Sequence, residues 1–305
     1  MNRPSVRTVR RLALASVVAN AAIVVTGGAV RLTDSGLGCP TWPRCTSSTY
    51  TPTAASNAHG LIEFGNRMLT FVLVAVVAAT LVAVVRQRPR RPSLVRLATL
   101  LVLGIPAQAV LGGITVRTGL NPWTVMGHFL LSMLLLGVAV ALHWRAGESD
   151  GTMRPLVAQP LRQLSYAVLG VVALVLVAGT VVTGSGPHSG DAKAARTGFN
   201  PESVSQLHAD LVMLLVGLSI AMWLAVRAVG GPSRDAGILV VVVLGQGAIG
   251  WTQYFTDLPV ALVAVHMAGA CLVLMAACRA VLALRERTPA AAVAVPFQSP
   301  RLADV

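Results

Sequence analysis

The sequence predicts an all-α, polytopic membrane protein of eight transmembrane helices, arranged as two repeated four-helix bundles. Three observations carry that expectation. The chain of 305 residues is 55% hydrophobic and only 11% charged, with a mean hydropathy of +0.72. Several apolar runs reach the roughly 20 residues a helix needs to cross a bilayer. The third observation is an internal duplication of sequence motifs.

Each apolar run must be helical, because lipid offers a backbone N–H or C=O no hydrogen-bond partner. Spans are expected at 12–32, 58–85, 96–116, 124–144, 163–184, 203–226, 236–254 and 259–281. The first run is long, and no small-residue cleavage site follows it. It is therefore read as a span and not as a signal peptide.

The net charge is +13, almost all of it arginine. In a soluble chain such an excess would suggest nucleic acid. Here the basic residues fall in short loops between apolar runs, which speaks for topology and against a nucleic-acid partner. One side holds Arg3, Arg7, Arg10 and Arg11, then Arg86, Arg88, Arg90, Arg91 and Arg96. It also holds Arg145, Arg154, Arg162, Arg227, Arg234, Arg279, Arg285 and Arg287. The other side has Arg31, Arg117, Lys193 and Arg196, diluted by Asp34, Asp191, Glu202 and Asp257. The positive-inside rule then puts both termini in the cytoplasm of a cell (plasma) membrane protein.

The duplication is read from two pairs of motifs. Gln108-Ala-Val-Leu-Gly112-Gly in the third run matches Gln246-Gly-Ala-Ile-Gly250-Trp in the seventh. Each Gln is followed 20 residues later by a histidine, His128 or His266. The first and fifth runs end on Gly28-Ala-Val-Arg-Leu-Thr-Asp-Ser35-Gly36 and on Gly179-Thr-Val-Val-Thr-Gly-Ser185-Gly186, the second one residue shorter. A repeat of four spans keeps its orientation, so the halves form a parallel repeat about an axis along the membrane normal. The expected organisation is a first bundle over 1–145, a cytoplasmic linker over 146–162, a second bundle over 163–285, and a disordered Ala/Pro-rich tail over 286–305.

Polar and ionisable groups within a span are costly, so each is a functional candidate. The set is His59, Glu63, Asn66, Arg67, Gln108, His128, His208, Asp210, Gln246 and His266. The even-numbered spans start on the outer side. Glu63, Asn66, His128, His208 and His266 therefore lie at similar depth in the outer half of the membrane. His59, Glu63 and Asn66 are spaced i, i+4, i+7 and share one helix face.

Two imidazoles on facing helices of a bundle suit a haem iron, for which histidine is a standard axial ligand. His208 and His266 offer such a pair. By the repeat, the first half should offer a residue of span two together with His128. A lone membrane histidine can simply hydrogen-bond two helices; it is the pair at matched depth that favours haem. No dense cluster of His, Cys and carboxylates of the kind copper or zinc uses is apparent. Glu63 could act as acid, base or stabiliser of positive charge. It could also pair with Arg67 at i+4, or Arg67 could reach a haem propionate. Cys39 and Cys45, in an outer loop, fit a disulfide or a redox-active pair. Cys271 and Cys278 share a face of the last span and are read as packing residues. His143 and His188 are read as interfacial or solvated.

Several of these features together resemble the haem A synthase family. They are the glycine-rich end of span one, the Cys39…Cys45 loop, Glu63-Phe-Gly-Asn66-Arg67, and the duplicated array of His128, His208 and His266. The resemblance runs from about residue 12 to 285. It implies an oxidoreductase that converts haem O to haem A for terminal oxidases, oxidising a ring methyl group to a formyl group by successive hydroxylations. It implies haem b as cofactor between His208 and His266, substrate haem held by His128 in the first half, and an essential Glu63. Asn66, His59 and Arg67 would line the substrate site. Implied partners are haem O, membrane lipid, a haem O synthase and an electron acceptor; a homo-oligomer is compatible.

One position departs from the family pattern. Asn66 stands where Glu-x-x-His-Arg would place a histidine, and asparagine is a poor haem ligand. The main alternative to a synthase is a di-haem cytochrome b that only transfers electrons. A transporter with a similar repeat and a haem chaperone are further alternatives.

Overall fold

A computed structural model describes residues 3–287. Eight long helices carry it: α1 Val6–Leu32, α2 Asn57–Arg86, α3 Pro92–Arg117, α4 Pro122–Gly147, α5 Gln159–Ser185, α6 Pro201–Ala228, α7 Arg234–Phe255 and α8 Val260–Ala283. All eight are long and apolar enough to cross a membrane. The observed helices contain the expected spans almost completely and extend them at most ends. At 22 to 30 residues and about 1.5 Å rise per residue, each outruns a hydrocarbon core of about 30 Å.

Helix starts follow from local chemistry. Proline occupies the first position of α3, α4 and α6, where its missing N–H costs nothing. Asn121 and Asn200 cap α4 and α6, accepting from Trp123 N–H and from Glu202 and Ser203 N–H. The outward faces stay apolar, with Leu61, Phe71, Leu103, Leu134 and Val241 all exposed. In water such a surface would aggregate; in lipid it is solvated.

Each set of four helices closes into a ring. Consecutive helices pack as antiparallel neighbours, and α1 packs on α4 as α5 does on α8. The rings meet through α4 against α8, flanked by α1 on α8 and α4 on α5. Exchanging the halves maps the second of these contacts onto the third, as a two-fold repeat requires. The tight turns repeat as well. Gly119 and Leu120 between α3 and α4, and Asp257 and Leu258 between α7 and α8, all take positive φ. They stand at equal distances from Gln108 and Gln246.

Two clasps hold the halves together at opposite ends. On the arginine-rich face, β1 (Met153–Pro155) pairs antiparallel with β2 (Arg285–Arg287). Beside it, Arg91 donates to Asp150 and to the carbonyls of Arg145 and Glu148, while Arg145 and Arg287 both reach Glu148. The expected tail therefore does not begin at 286. Residues 286 and 287 lie in a strand, because the linker supplies an edge for them to pair with. The rest of that tail, 288–305, lies outside the described residues.

On the opposite face, Arg31 at the end of α1 donates to the carbonyls of Thr183 and His188. Gly36 N–H donates to Gly190. His188 is thus a bridging residue, not a solvated one: its Nε2 also meets the Leu258 carbonyl at 3.1 Å. His143 Nδ1 lies 3.2 Å from the Arg10 carbonyl, at the arginine-rich end.

Candidate functional site

In the second bundle, α6 and α8 stand diagonally across the ring and make no direct packing contact. His208 and His266 nevertheless project toward each other. Their ring centroids are 6.5 Å apart, with planes at 73°. Two imidazole–metal bonds of about 2 Å, plus the two ring half-widths, require a separation of about 6 Å. The pair therefore fits a single iron between them. Among the described residues no group of three or more His, Cys, Asp or Glu side chains is gathered to hold a metal ion, so this pair is what the second bundle offers.

Each ring rests on a glycine of the preceding helix. A Cβ on Gly179 of α5 would stand 3.1 Å from His208 Cε1, and one on Gly250 of α7 would stand 3.0 Å from His266 Cε1. Nδ1 of both His208 and His266 is buried without a hydrogen-bond partner.

The first bundle repeats half of this arrangement. His128 of α4 rests on Gly112 of α3, where a Cβ would stand 3.1 Å from Cε1. Its Nδ1 is likewise buried and unpartnered. The diagonal helix α2 carries Asn66 instead of an imidazole. Its Oδ1 accepts from Thr26 Oγ1 of α1 at 2.8 Å, so the amide is engaged with the neighbouring helix. His59 is exposed at the start of α2, and its Nδ1 shares a 3.0 Å hydrogen bond with Ser35 Oγ. The structure thus places His59 in the loop packing and does not bring it beside His128. Asp210 is exposed and accepts from Gln206 on its own helix.

Glu63 is the one acidic side chain buried among the described residues of the spans, at 5% exposure. Both carboxylate oxygens have donors. Oε2 accepts from the main-chain N–H of Cys39 at 2.7 Å, and Oε1 from Arg67 Nε at 3.1 Å. Arg67 then extends over the same loop, donating to the carbonyls of Cys39, Thr41 and Arg44. Its donors are engaged by Glu63 and this loop.

The loop is closed by the Cys39–Cys45 disulfide. It is also pinned to α3, where the Trp42 ring lies against Gly113 and Arg117 donates to the Trp42 carbonyl. The result is a rigid cover over the end of the first bundle, fastened to α2 through a buried carboxylate.

Sequence reasoning singled out the histidines, Glu63 and the cysteines. Gly112, Gly179 and Gly250 stand within the duplicated motifs, and their role as ring seats emerges only from the packing. Their signal was present: a glycine in an odd-numbered span, at the depth of a histidine in the next. Sequence reasoning missed the Cys39–Glu63 bond, which couples a loop to a helix and leaves no periodic trace.

The family model described as "Cytochrome oxidase assembly protein" matches residues 10–189, which take in almost all of the first bundle and all of α5. The relatives are named heme A synthase. The protein of Geobacillus kaustophilus is 30% identical over 116 residues, covering 38% of this chain and 36% of its own. That of Shewanella oneidensis is 28% identical over 190 residues, covering 57% and 55%. That of a Methylobacterium species is 30% identical over 152 residues, covering 46% and 42%. These matches span between 36% and 55% of the relatives' own length.

Proposed function

The chain belongs to the cytochrome oxidase assembly protein family that holds the haem A synthases, and from that premise we propose that it oxidises the ring methyl group of haem O to the formyl group of haem A. One observation carries the reading: the two halves are unequal. The second bundle has a histidine pair at an iron-spanning distance. The first has a single seated histidine, an asparagine opposite, and a buried carboxylate under a disulfide-closed loop. A di-haem carrier that only moved electrons would have two equally ligated sites.

In this reading haem O enters the first bundle with His128 as its iron ligand. His208 and His266 would hold haem b, which when bound would supply one-electron transfer. Conversion of a methyl to a formyl group with water as oxygen source releases four electrons and four protons. The electrons pass to a one-electron acceptor in the membrane. Arg67 takes Oε1 of Glu63 with two donors, and Oε2 keeps a lone pair beyond the one that Cys39 occupies. Glu63 receives a proton from the attacking water or faces the positive charge that develops on the oxidised carbon. The disulfide loop keeps bulk water from that end of the bundle. The arginine-rich face and both termini lie in the cytoplasm of a cell membrane, where a haem O synthase hands over the substrate.

The test is extraction and chromatography of the haems that purify with the protein from cells that make haem O. Wild type is expected to carry haem b with haem O or haem A. Glu63→Ala is expected to hold haem O and form no haem A, and His208→Ala to lose haem b. Haem b alone in wild type, unaffected by Glu63→Ala, would establish the electron-carrier alternative instead.

A further inference from the structure

Two glutamines outside the ligand set grip the histidines from the side. Gln108 of α3 donates from Nε2 to the main-chain carbonyl of His128 at 3.1 Å, and also to Ser132 Oγ. Gln246 of α7 donates in the same way to the carbonyl of His266 at 2.7 Å. Four residues further along the same helix face are Gly112 and Gly250. These are the glycines on which the two imidazole edges rest. Backbone grip and ring seat therefore recur at one spacing in both halves.

The device is not explained by stability. In each glutamine the amide oxygen is buried and has no hydrogen-bond partner. The Gln246 oxygen fits only because residue 269 is glycine: it lies where a Cβ there would be. A buried amide with one end unsatisfied destabilises a core relative to an apolar side chain of equal volume. What the amide supplies is a fixed point. With its carbonyl held, the histidine cannot slide along its helix axis or roll about it without losing the donor. The glycine sets how close the ring edge comes to the neighbouring helix. Metal-binding histidines are usually oriented through the second ring nitrogen; here, where Nδ1 of His128 and His266 has no partner, the hold is on the main chain.

We propose that Gln108 with Gly112, and Gln246 with Gly250, are paired positioning devices. Each sets the height and ring orientation of one iron-binding histidine: His128 for the substrate haem and His266 for haem b. The proposal rests on the haem reading given above. His208 has the glycine seat but no glutamine grip, because Val175 occupies the position four residues before Gly179. The glutamine grip at the haem b site thus acts on the α8 histidine.

The experiment compares four variants of the full-length protein purified with its haems: Gln246→Met, Gly250→Ala, Gln108→Met and Gly112→Ala. The readouts are the electron paramagnetic resonance g-values of oxidised haem b, its midpoint potential, and the ratio of each haem to protein. The second-half variants are expected to shift the g-values and potential of haem b at unchanged helix content. The first-half variants are expected to leave that signal as in wild type and to lower haem O retention several-fold. If Gly250→Ala does not accumulate, Gln246→Met carries the comparison alone. An unshifted haem b signal in the second-half variants overturns the proposal. So does an equal shift from first-half variants, which would mark a general packing effect. Absence from wild type of any low-spin signal that His266→Ala removes would instead overturn the haem reading, and the proposal with it.

Discussion

The main-chain N–H of Cys39 donates to Oε2 of Glu63 across 2.7 Å, joining a disulfide cysteine directly to the buried carboxylate of α2. Arg67 completes the unit by binding the other carboxylate oxygen and three carbonyls of the same loop. The carboxylate and the loop over it are therefore positioned together. Any change in one is felt by the other.

Glu63→Gln separates the charge from that scaffold. The amide oxygen can still accept from Cys39 N–H, while the ion pair with Arg67 is lost. The fold and the disulfide should persist. Haem A formation should fall by about 10²-fold or more, the contribution typical of a positioned acid–base group, with haem O accumulating on the protein. Haem chromatography on matched preparations reads this directly, and formation at the wild-type rate would remove Glu63 from the chemistry.

Replacing both Cys39 and Cys45 by serine probes the loop alone. Closing so short a loop restricts the unfolded chain by about 2 kcal/mol. The melting temperature should drop by a few degrees. Haem b content should not change, since the bonds of Cys39 to Glu63, Gly60 and Arg67 all run to α2 of the first bundle. Melting curves of wild type with and without a reductant should show the same difference, and a reductant that leaves them superimposable would contradict it.

Much of this architecture was legible in the sequence because a membrane leaves few choices. The apolar run lengths give eight helices, and the repeated Gln-to-His spacing gives two bundles. His208 and His266 stood out because an ionisable group in lipid needs a reason. What the sequence did not disclose depends on tertiary pairing. The partner of Glu63 is a main-chain N–H, and any residue but proline presents one. The β1–β2 clasp joins residues 153–155 to 285–287 through backbone bonds alone, so a short polar linker and an apparent tail gave no hint of it. Asn66 was legible as a departure, but its link to Thr26 required the packing of α1 on α2.

Asn66→His tests that departure. The substitution gives up the Thr26 bond and places an imidazole diagonally opposite His128, restoring the arrangement seen at His208 and His266. Substrate haem should then be held by two imidazoles. Its retention through purification should rise, and a second low-spin resonance should join that of haem b. If the variant folds and binds haem O yet gives no new resonance, α2 and α4 of the first bundle do not face a common iron.

The clasp on the arginine-rich face yields a stability prediction that needs no haem. Arg91 is buried at 5% exposure and caps the end of α4 through the carbonyls of Arg145 and Glu148, each at 2.8 Å. Its Nε–H donates to Asp150 at 2.6 Å. Arg91→Met fills the space but leaves those carbonyls without their donor at the negative end of a helix dipole. Hydrogen bonds to a charged group contribute more than neutral ones, so the loss should be about 2–3 kcal/mol. Arg279→Met is the control. Its pair with Asp235 has an arginine 45% exposed, and such surface pairs contribute under about 1 kcal/mol. Thermal denaturation of both variants in the same detergent should therefore separate them clearly, with Arg91→Met melting lower. Equal melting temperatures would show that Arg91 adds nothing to the hold on the end of α4.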